Sequence, residues 1–291
     1  MKILITGSTG FVGSKLTKEL AKFHKVYETS RTKGYQFNIT DVNRLTQICV
    51  ENDIECIIHT AGCSIVKHCE QFPFNAFEAN TLGTLSVLEA ARNSEVRKVI
   101  VYETDKVYGD NGNSVNEESD LIYDSPYGFS KVMSAKCADF YRTRYDMNII
   151  SVRSANIFGP GDHSSTRLVP NIMRAIKNKT PIRLYNDSAN MVRDFIYIND
   201  VVDMTKILVE ENPKDSIYNF STNSKIKIKS FIEKCLNELN SKCDLIIENK
   251  GFEEIPYQEI DGSRFVNEFN FKFTAFEESI YQTYQWYKTE L

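Results

Sequence analysis

At 291 residues, 42% hydrophobic and 25% charged, the chain has the composition of a soluble globular protein with room for one large α/β domain, or a large and a small one. A net charge of −4 provides no electrostatic footprint for nucleic acid or an anionic membrane, and no apolar run approaches bilayer length. The seven cysteines are an odd number scattered through expected helices and strands, which suits free thiols in a reducing cytoplasm rather than a disulfide framework.

Residues 2–6 form a short apolar strand that passes at once into Gly7, Ser8, Thr9, Gly10, Phe11, Val12 and Gly13, so no signal peptide is expected. Val12, Leu16 and Leu20 then recur at helical spacing. Glycines at 7, 10 and 13 let the backbone turn, approach a pyrophosphate and pack helix on strand, while the helix N-terminus offers N–H groups to phosphates. A glycine triplet opening a helix directly after the first strand marks a dinucleotide site. The next strand, 25–29, would usually end on an acidic residue for the ribose diol of NAD. It ends instead on Ser30 and Arg31, a hydroxyl and a guanidinium suited to a 2′-phosphate, which favours NADP over NAD, although Glu28 is an acid nearby. A short connection, 35–41, leads to a helix carrying Val42, Leu45, Ile48 and Cys49. Asn38, with Ile39 beside it, either touches the adenine edge or starts a turn.

A third strand, 54–59, ends in His59, Thr60, Ala61 and Gly62. Small residues there let a cofactor lie across the strand end, or serve close helix packing. His59, Cys63, His68 and Cys69 are close in sequence but match no zinc spacing, and no metal is expected. A long helix spans 75–93 with Phe77, Leu82, Leu85, Leu88 and Ala91 on it. Asn80 lies inside, where propensity disfavours it, and reads as a buried amide bracing the strands beside the cofactor.

The β-branched run from residue 98 delivers Thr104, Asp105 and Lys106 to a strand end, where open α/β sheets place their ligands. A polar loop or lid at 110–125 follows. Ser125 and Pro126 then open a helix running to about Tyr145, with Tyr127 and Lys131 four residues apart on one face. Together these groups are equipped for proton transfer. Another buried strand, 148–153, completes a strand–helix beat that implies a Rossmann-like, doubly wound parallel sheet over residues 1–160, with later segments returning to it. Beyond 160 the rhythm breaks. Helices are expected at 167–178, 200–211, 228–240 and 276–287, with strands at 181–185, 193–198 and 216–221. Residues 161–291 read as a smaller substrate-binding domain.

These motifs resemble the extended short-chain dehydrogenase/reductases, the NAD(P)-dependent nucleotide-sugar epimerases and dehydratases. The resemblance covers most of the chain. It rests on Thr-Gly-x-x-Gly-Phe-x-Gly at 6–13, His59-x-Ala61, Asn80-x-x-Gly83-Thr84, Tyr127-x-x-x-Lys131, Asn156-x-x-Gly159-Pro160 and Arg193-Asp194-Phe195-x-Tyr197. Thr104-Asp105-Lys106-Val107-Tyr108-Gly109, with Arg167-Leu168-Val169-Pro170 and Pro181-Ile182-Arg183, is most similar to the CDP-glucose 4,6-dehydratase branch.

The resemblance implies that Tyr127 takes the sugar 4-hydroxyl proton, Lys131 favours its phenolate and holds the nicotinamide ribose, and Thr104 binds the reacting oxygen. Asp105 as acid and Lys106 as base would then eliminate water across C5 and C6. It also implies that Arg193 grips a diphosphate and that Asn156, Arg167, Leu168 and Arg183 frame the nucleotide. The helices at 75–93 and 126–145 would form a homodimer interface. Glu103 stands where the family usually has a small Ser, which suits a nicotinamide neighbour only if the carboxylate points away. The segment 30–41 is similar to that of the 4-keto-sugar reductases, making a reductase, then a 4-epimerase, the alternatives. A non-catalytic dinucleotide-binding protein is the alternative from another class.

Overall fold

The computed structural model describes residues 1–110, 114–248 and 255–290. Two compact units divide the chain. The first comprises Met1–Gly109, Glu117–Ser154 and Val202–Asn219, and the second Asp110–Asn116, Ala155–Val201 and Phe220–Leu291.

In chain order the elements begin β1 (Lys2–Thr6), α1 (Phe11–Leu20), β2 (Lys25–Ser30), β3 (Tyr35–Gln36), α2 (Val42–Glu51) and β4 (Cys56–His59). Next come α3 (Val66–Gln71), α4 (Pro73–Ala76), a π-helical turn (Phe77–Leu82), α5 (Gly83–Asn93), β5 (Lys98–Tyr102), a 3-10 turn (Asp105–Tyr108), α6 (Pro126–Tyr145) and β6 (Ile149–Ser154). The chain continues through β7 (Asn156–Phe158), α7 (Leu168–Asn178), β8 (Ile182–Tyr185), a second 3-10 turn (Asn186–Asn190), β9 (Val192–Arg193), β10 (Phe195–Tyr197) and α8 (Ile198–Glu210). It closes with β11 (Ile217–Phe220), β12 (Ile226–Lys227), α9 (Ile228–Glu238), β13 (Leu245–Glu248), α10 (Ser263–Phe269) and α11 (Phe276–Glu290).

Seven strands form the large sheet in the order β11-β6-β5-β4-β1-β2-β3. Every residue of β4, β5 and β6 is buried, as a parallel sheet covered on both faces requires. One covering layer joins Leu45 and Ile48 of α2, Val87 and Leu88 of α5, and Ala138 and Tyr141 of α6 to Leu4, Ile57, Val99 and Val101 of the strands. The strand order reverses between β1 and β4, which pair in parallel with Thr6 opposite His59. That reversal is the switch point at which an open α/β sheet binds ligands beyond its strand ends.

The second unit has small two-stranded sheets, β7 with β10, β9 with β12 and β8 with β13. Its interior is aromatic: Phe195 stacks on Phe231 at 3.9 Å between centroids, and Phe158 and Phe276 meet the same ring edge-on.

The doubly wound sheet is as the sequence implies, and α6 occupies the expected residues. Ser125 Oγ accepts from Gly128 N at 3.0 Å and Pro126 takes the first helical position. Two expectations need correction. The helix at 75–93 is interrupted by a π turn centred on Asn80, because that residue's backbone and side chain serve partners outside the helix. The single strand at 193–198 is two short strands separated by Asp194, whose carbonyl accepts from Asn156 and whose carboxylate accepts from Ser221 and Thr222. Of the loop expected at 110–125, residues 111–113 lie outside the described residues.

Candidate active site

The end of β1 is built for close backbone approach. Gly7 has φ +72°, and a Cβ there would lie 2.7 Å from Ala61 Cα; one on Gly13 would lie 2.2 Å from Gly7 O and 2.7 Å from Thr60 Oγ1. Thr60 Oγ1 donates to Thr6 O at 2.7 Å, and the N–H groups of Gly7 and Ser8 donate to Thr29 O. No side chain caps α1 at Gly10, and Thr9, Phe11 and Val12 stand at this helix start, the place where an α/β fold offers backbone N–H groups to a phosphate. Glycine at 7 and 13 thus lets the loop after β1 pack directly on Thr60 and Ala61 and on the start of α1, the close strand-to-helix turn that a dinucleotide pyrophosphate fits.

At the end of β2, Ser30 Oγ accepts from Thr32 N and Lys33 N, which curls the chain so that Arg31 is exposed. Lys33 Nζ lies 2.9 Å from Glu28, so the one acid near this strand end is already paired. Asn38 Oδ1 accepts from Thr40 N at 3.3 Å in the turn before α2, with its side chain exposed, and Ile39 packs into the core.

Asn80 is wholly buried. Its Oδ1 accepts from Cys63 N at 2.7 Å, and its Nδ2 donates to Cys63 O at 3.0 Å and Ser130 Oγ at 2.9 Å. The amide therefore clamps the loop after β4 to the first turns of α6. A Cβ on Gly62 would sit 2.6 Å from Asn80 Oδ1, so the loop needs glycine there. Behind the clamp, Thr84 Oγ1 donates to Asn80 O at 2.6 Å and must accept from His59 Nε2–H at 3.1 Å. In the neutral imidazole His59 Nδ1 then accepts from Thr6 Oγ1 at 2.7 Å. Burial, with the Lys131 charge nearby, pushes this histidine down to about 3.

Thr104, at the end of β5, caps the 3-10 turn by accepting from Lys106 N, and its hydroxyl donates to Asp105 Oδ1 at 3.1 Å. Thr104 and Asp105 are buried and Lys106 is half-buried. Gly109 ends the turn at φ +58°, where a Cβ would strike Ile122. Tyr127 and Lys131 are both buried in the first turns of α6. Lys131 Nζ donates to Tyr102 O at 2.7 Å. Burial pushes this ammonium down to about 8, against the opposing pull of the Glu103 carboxylate.

Glu103 is engaged by a group that the sequence reading did not single out. Its Oε2 accepts from Arg153 Nε at 2.9 Å, and Arg153 Nη1 also donates to the Tyr108 hydroxyl at 3.0 Å. The carboxylate just past β5 is thus paired with the guanidinium of β6. The pairing joins residues fifty positions apart, and sequence spacing carries no signal for it.

In the second unit, Arg193 is buried and donates to Val192 O, and Asn156 Nδ2 donates to Asp194 O. Arg167, at the N-cap of α7 before Leu168, reaches Asp162 at 3.2 Å. Arg183 lies exposed on β8, paired with Glu248 on β13. Among the described residues no cluster of three or more metal-ligating side chains exists, and no helix is long and apolar enough to cross a membrane.

A sheet with this switch point, glycine cradle and Tyr-x-x-x-Lys helix defines a dinucleotide-dependent short-chain dehydrogenase-like protein. The model of the NAD dependent epimerase/dehydratase family matches residues 3–221, and the chain belongs to that family. It is 28% identical over 269 residues to a dTDP-D-glucose 4,6-dehydratase of Dictyostelium discoideum, covering 81% of this chain and 62% of that protein. It is 27% identical over 285 residues to Protein CapI of Staphylococcus aureus, covering 83% and 84% of the two chains. In three dimensions it is similar to the Thermotoga maritima UDP-glucose 4-epimerase solved with UDP-glucose, with TM-score 0.92, 20% identity and coverage of 100% and 99%. It is also similar to the dTDP-glucose 4,6-dehydratase DesIV of Streptomyces venezuelae, solved with NAD, with TM-score 0.88, 23% identity and coverage of 99% and 97%.

Proposed function

We propose that the protein is an NADP-preferring nucleotide-sugar 4,6-dehydratase. The observation that carries this reading is the buried Thr104–Asp105 hydrogen bond with Lys106 next in the same turn, since an epimerase or reductase has no use for an adjacent acid and base. A nicotinamide dinucleotide, when bound, supplies the oxidation and the later reduction. Tyr127 accepts the proton of the sugar 4-hydroxyl, and the Lys131 charge favours its phenolate. Thr104 can turn its hydroxyl from Asp105 to the reacting oxygen. Once C4 is a ketone, the C5 proton is acidified. Lys106, in its neutral form, takes that proton while Asp105, in its acid form, donates one to the departing C6 hydroxyl. Asn156, Arg167, Leu168, Arg183 and Arg193 are assigned to the nucleotide and its diphosphate, the guanidinium forks suiting phosphate oxygens.

Preference for NADP is supported by exposed Arg31 and by the pairing of Glu28 with Lys33, which removes an obstacle to the 2′-phosphate. A homodimer is supported by Leu82, Phe129, Met133, Phe140 and Tyr145, which are apolar and exposed on the π turn and α6. Incubation with a panel of nucleotide hexoses in deuterated water tests the reaction. A 4-keto-6-deoxy product carrying deuterium at C5 is expected. A 4-epimer or a reduced product without C5 label would replace this reading with one of its alternatives, a nucleotide-sugar 4-epimerase or an NADPH-dependent 4-keto-sugar reductase.

A further inference from the structure

Two of the seven cysteines are unlike the rest. Cys63 and Cys69 place their Sγ atoms 3.3 Å apart, within hydrogen-bond reach, whereas Cys49, Cys56 and Cys235 are buried in apolar surroundings that push their thiols up. Cys63 follows the Gly62 turn and is half-buried; Cys69 lies on α3 and is wholly buried. The pair therefore consists of a reachable thiol with a sheltered partner behind it.

Its surroundings distinguish the two sulfurs. The Cys69 S–H donates to the Cys63 sulfur, and this donor, with the Ile65 N–H, holds Cys63 below the usual thiol range despite partial burial. Arg31 adds positive charge nearby. Cys69 is pushed up by the same hydrogen bond and by burial. Cys63, the more exposed sulfur, is placed to react first, with buried Cys69 beside it to resolve it.

The position matters because of what touches it. Cys69 packs with Ala76 and Tyr127, and Cys63 and Val66 pack against that cluster. The main chain of Cys63 is held on both sides by Asn80, which in turn holds Ser130 between Tyr127 and Lys131. Bringing the sulfurs from 3.3 Å to a bonded distance of roughly 2.05 Å changes the packing of the cluster that holds Tyr127 and loads the loop clamped by Asn80.

We propose that Cys63 and Cys69 form a peroxide-responsive dithiol site whose disulfide repacks the cluster holding Tyr127 and slows the enzyme reversibly. The Cys63 thiolate attacks one oxygen of hydrogen peroxide. The S–O bond forms, the O–O bond breaks, and the departing hydroxide takes a proton to become water. Cys69 then loses its proton and attacks the sulfenyl sulfur. The S–S bond forms, the S–O bond breaks, and that hydroxide leaves as a second water with the Cys69 proton. Two thiols are oxidised by two electrons and one peroxide is reduced; a small dithiol such as dithiothreitol reverses the change. The effect on rate rests on the catalytic role proposed for Tyr127, whereas formation of the disulfide does not.

The test uses the full chain, fully reduced and then exposed to stoichiometric hydrogen peroxide. Intact mass should fall by about 2 Da, the two hydrogens lost on disulfide formation. Peptide mapping should join the peptides that hold Cys63 and Cys69. In Cys69→Ala, oxidation should stop at a sulfenic acid on Cys63, trapped by dimedone, and Cys63→Ala should leave Cys69 reduced. A second arm measures turnover of whichever nucleotide sugar the enzyme converts. The oxidised wild type should lose at least about tenfold in kcat and regain it with dithiothreitol, a size expected for a misplaced proton-transfer group. Both variants should keep their rate under peroxide, with circular dichroism verifying their fold. Oxidation at other cysteines instead, or a 63–69 disulfide without change in rate, would overturn the proposal. Disulfide formation in a protein that converts no nucleotide sugar would leave the dithiol standing and sink only the functional reading.

Discussion

Arg153 Nε stands 2.9 Å from Glu103 Oε2, with 3% of one side chain and 0% of the other exposed to solvent. A pair so deeply buried is held by geometry, and removing one member leaves a bare charge in the sheet. Replacing Glu103 by Ser should therefore cost roughly 3–5 kcal/mol in urea unfolding. The double variant Glu103→Gln, Arg153→Met should recover much of that loss. If the serine variant unfolds at the wild-type urea concentration, the ion pair is not what holds this end of β5 to β6.

The contrast between Glu103 and its neighbours shows which parts of the molecule could be read from sequence. Strands β1, β4 and β5 are largely apolar runs, and the start of α6 is marked by Ser125 and Pro126, so local patterns place them. Thr104, Tyr127 and Lys131 were legible because they sit at fixed offsets from such elements. The Glu103–Arg153 pairing and the neutral His59 relay are set by strands brought together across the sheet, about which sequence spacing says nothing. Two-residue strands such as β3, β9 and β12 are too short to display any period.

His59 should make the protein acid-sensitive. The neutral ring, held down to about 3 when folded, has an ordinary value of 6.5. Between those limits the unfolded chain binds a proton that the native state refuses, so stability falls as pH drops through 6.5 and towards 3. A His59→Gln variant, which has no proton to take up, should show a flatter profile of unfolding free energy against pH. Equal slopes for variant and wild type between pH 6.5 and 4 would remove His59 from the account.

Cofactor preference should depend on Arg31. A charge-assisted hydrogen bond contributes about 1.5–3 kcal/mol, so Arg31→Ala should weaken NADP by roughly ten- to a hundredfold in calorimetric titration. NAD, lacking the 2′-phosphate, should be little affected. Equal losses for the two dinucleotides would mean that Arg31 is only a surface charge.

Lys106 separates the dehydratase from its alternatives. Lys106→Met keeps the aliphatic stem in the half-buried turn and removes the base, while Thr104, Tyr127 and Lys131 remain in place. Oxidation at C4 needs only those three groups. On mixing with substrate, the variant should develop the absorbance of reduced nicotinamide and then stall, because the C5 proton has no acceptor. Loss of such a base costs on the order of 10²–10⁴-fold in overall rate. Tyr127→Phe should instead show no absorbance change, since the first proton has nowhere to go. Solvent deuterium should enter C5 with the wild type and fail to enter with Lys106→Met. A 4-epimerase or a 4-keto-sugar reductase breaks no C5–H bond and would pass through the Lys106 substitution without a stall. Wild-type turnover by Lys106→Met would therefore refute the assignment of this lysine as the base.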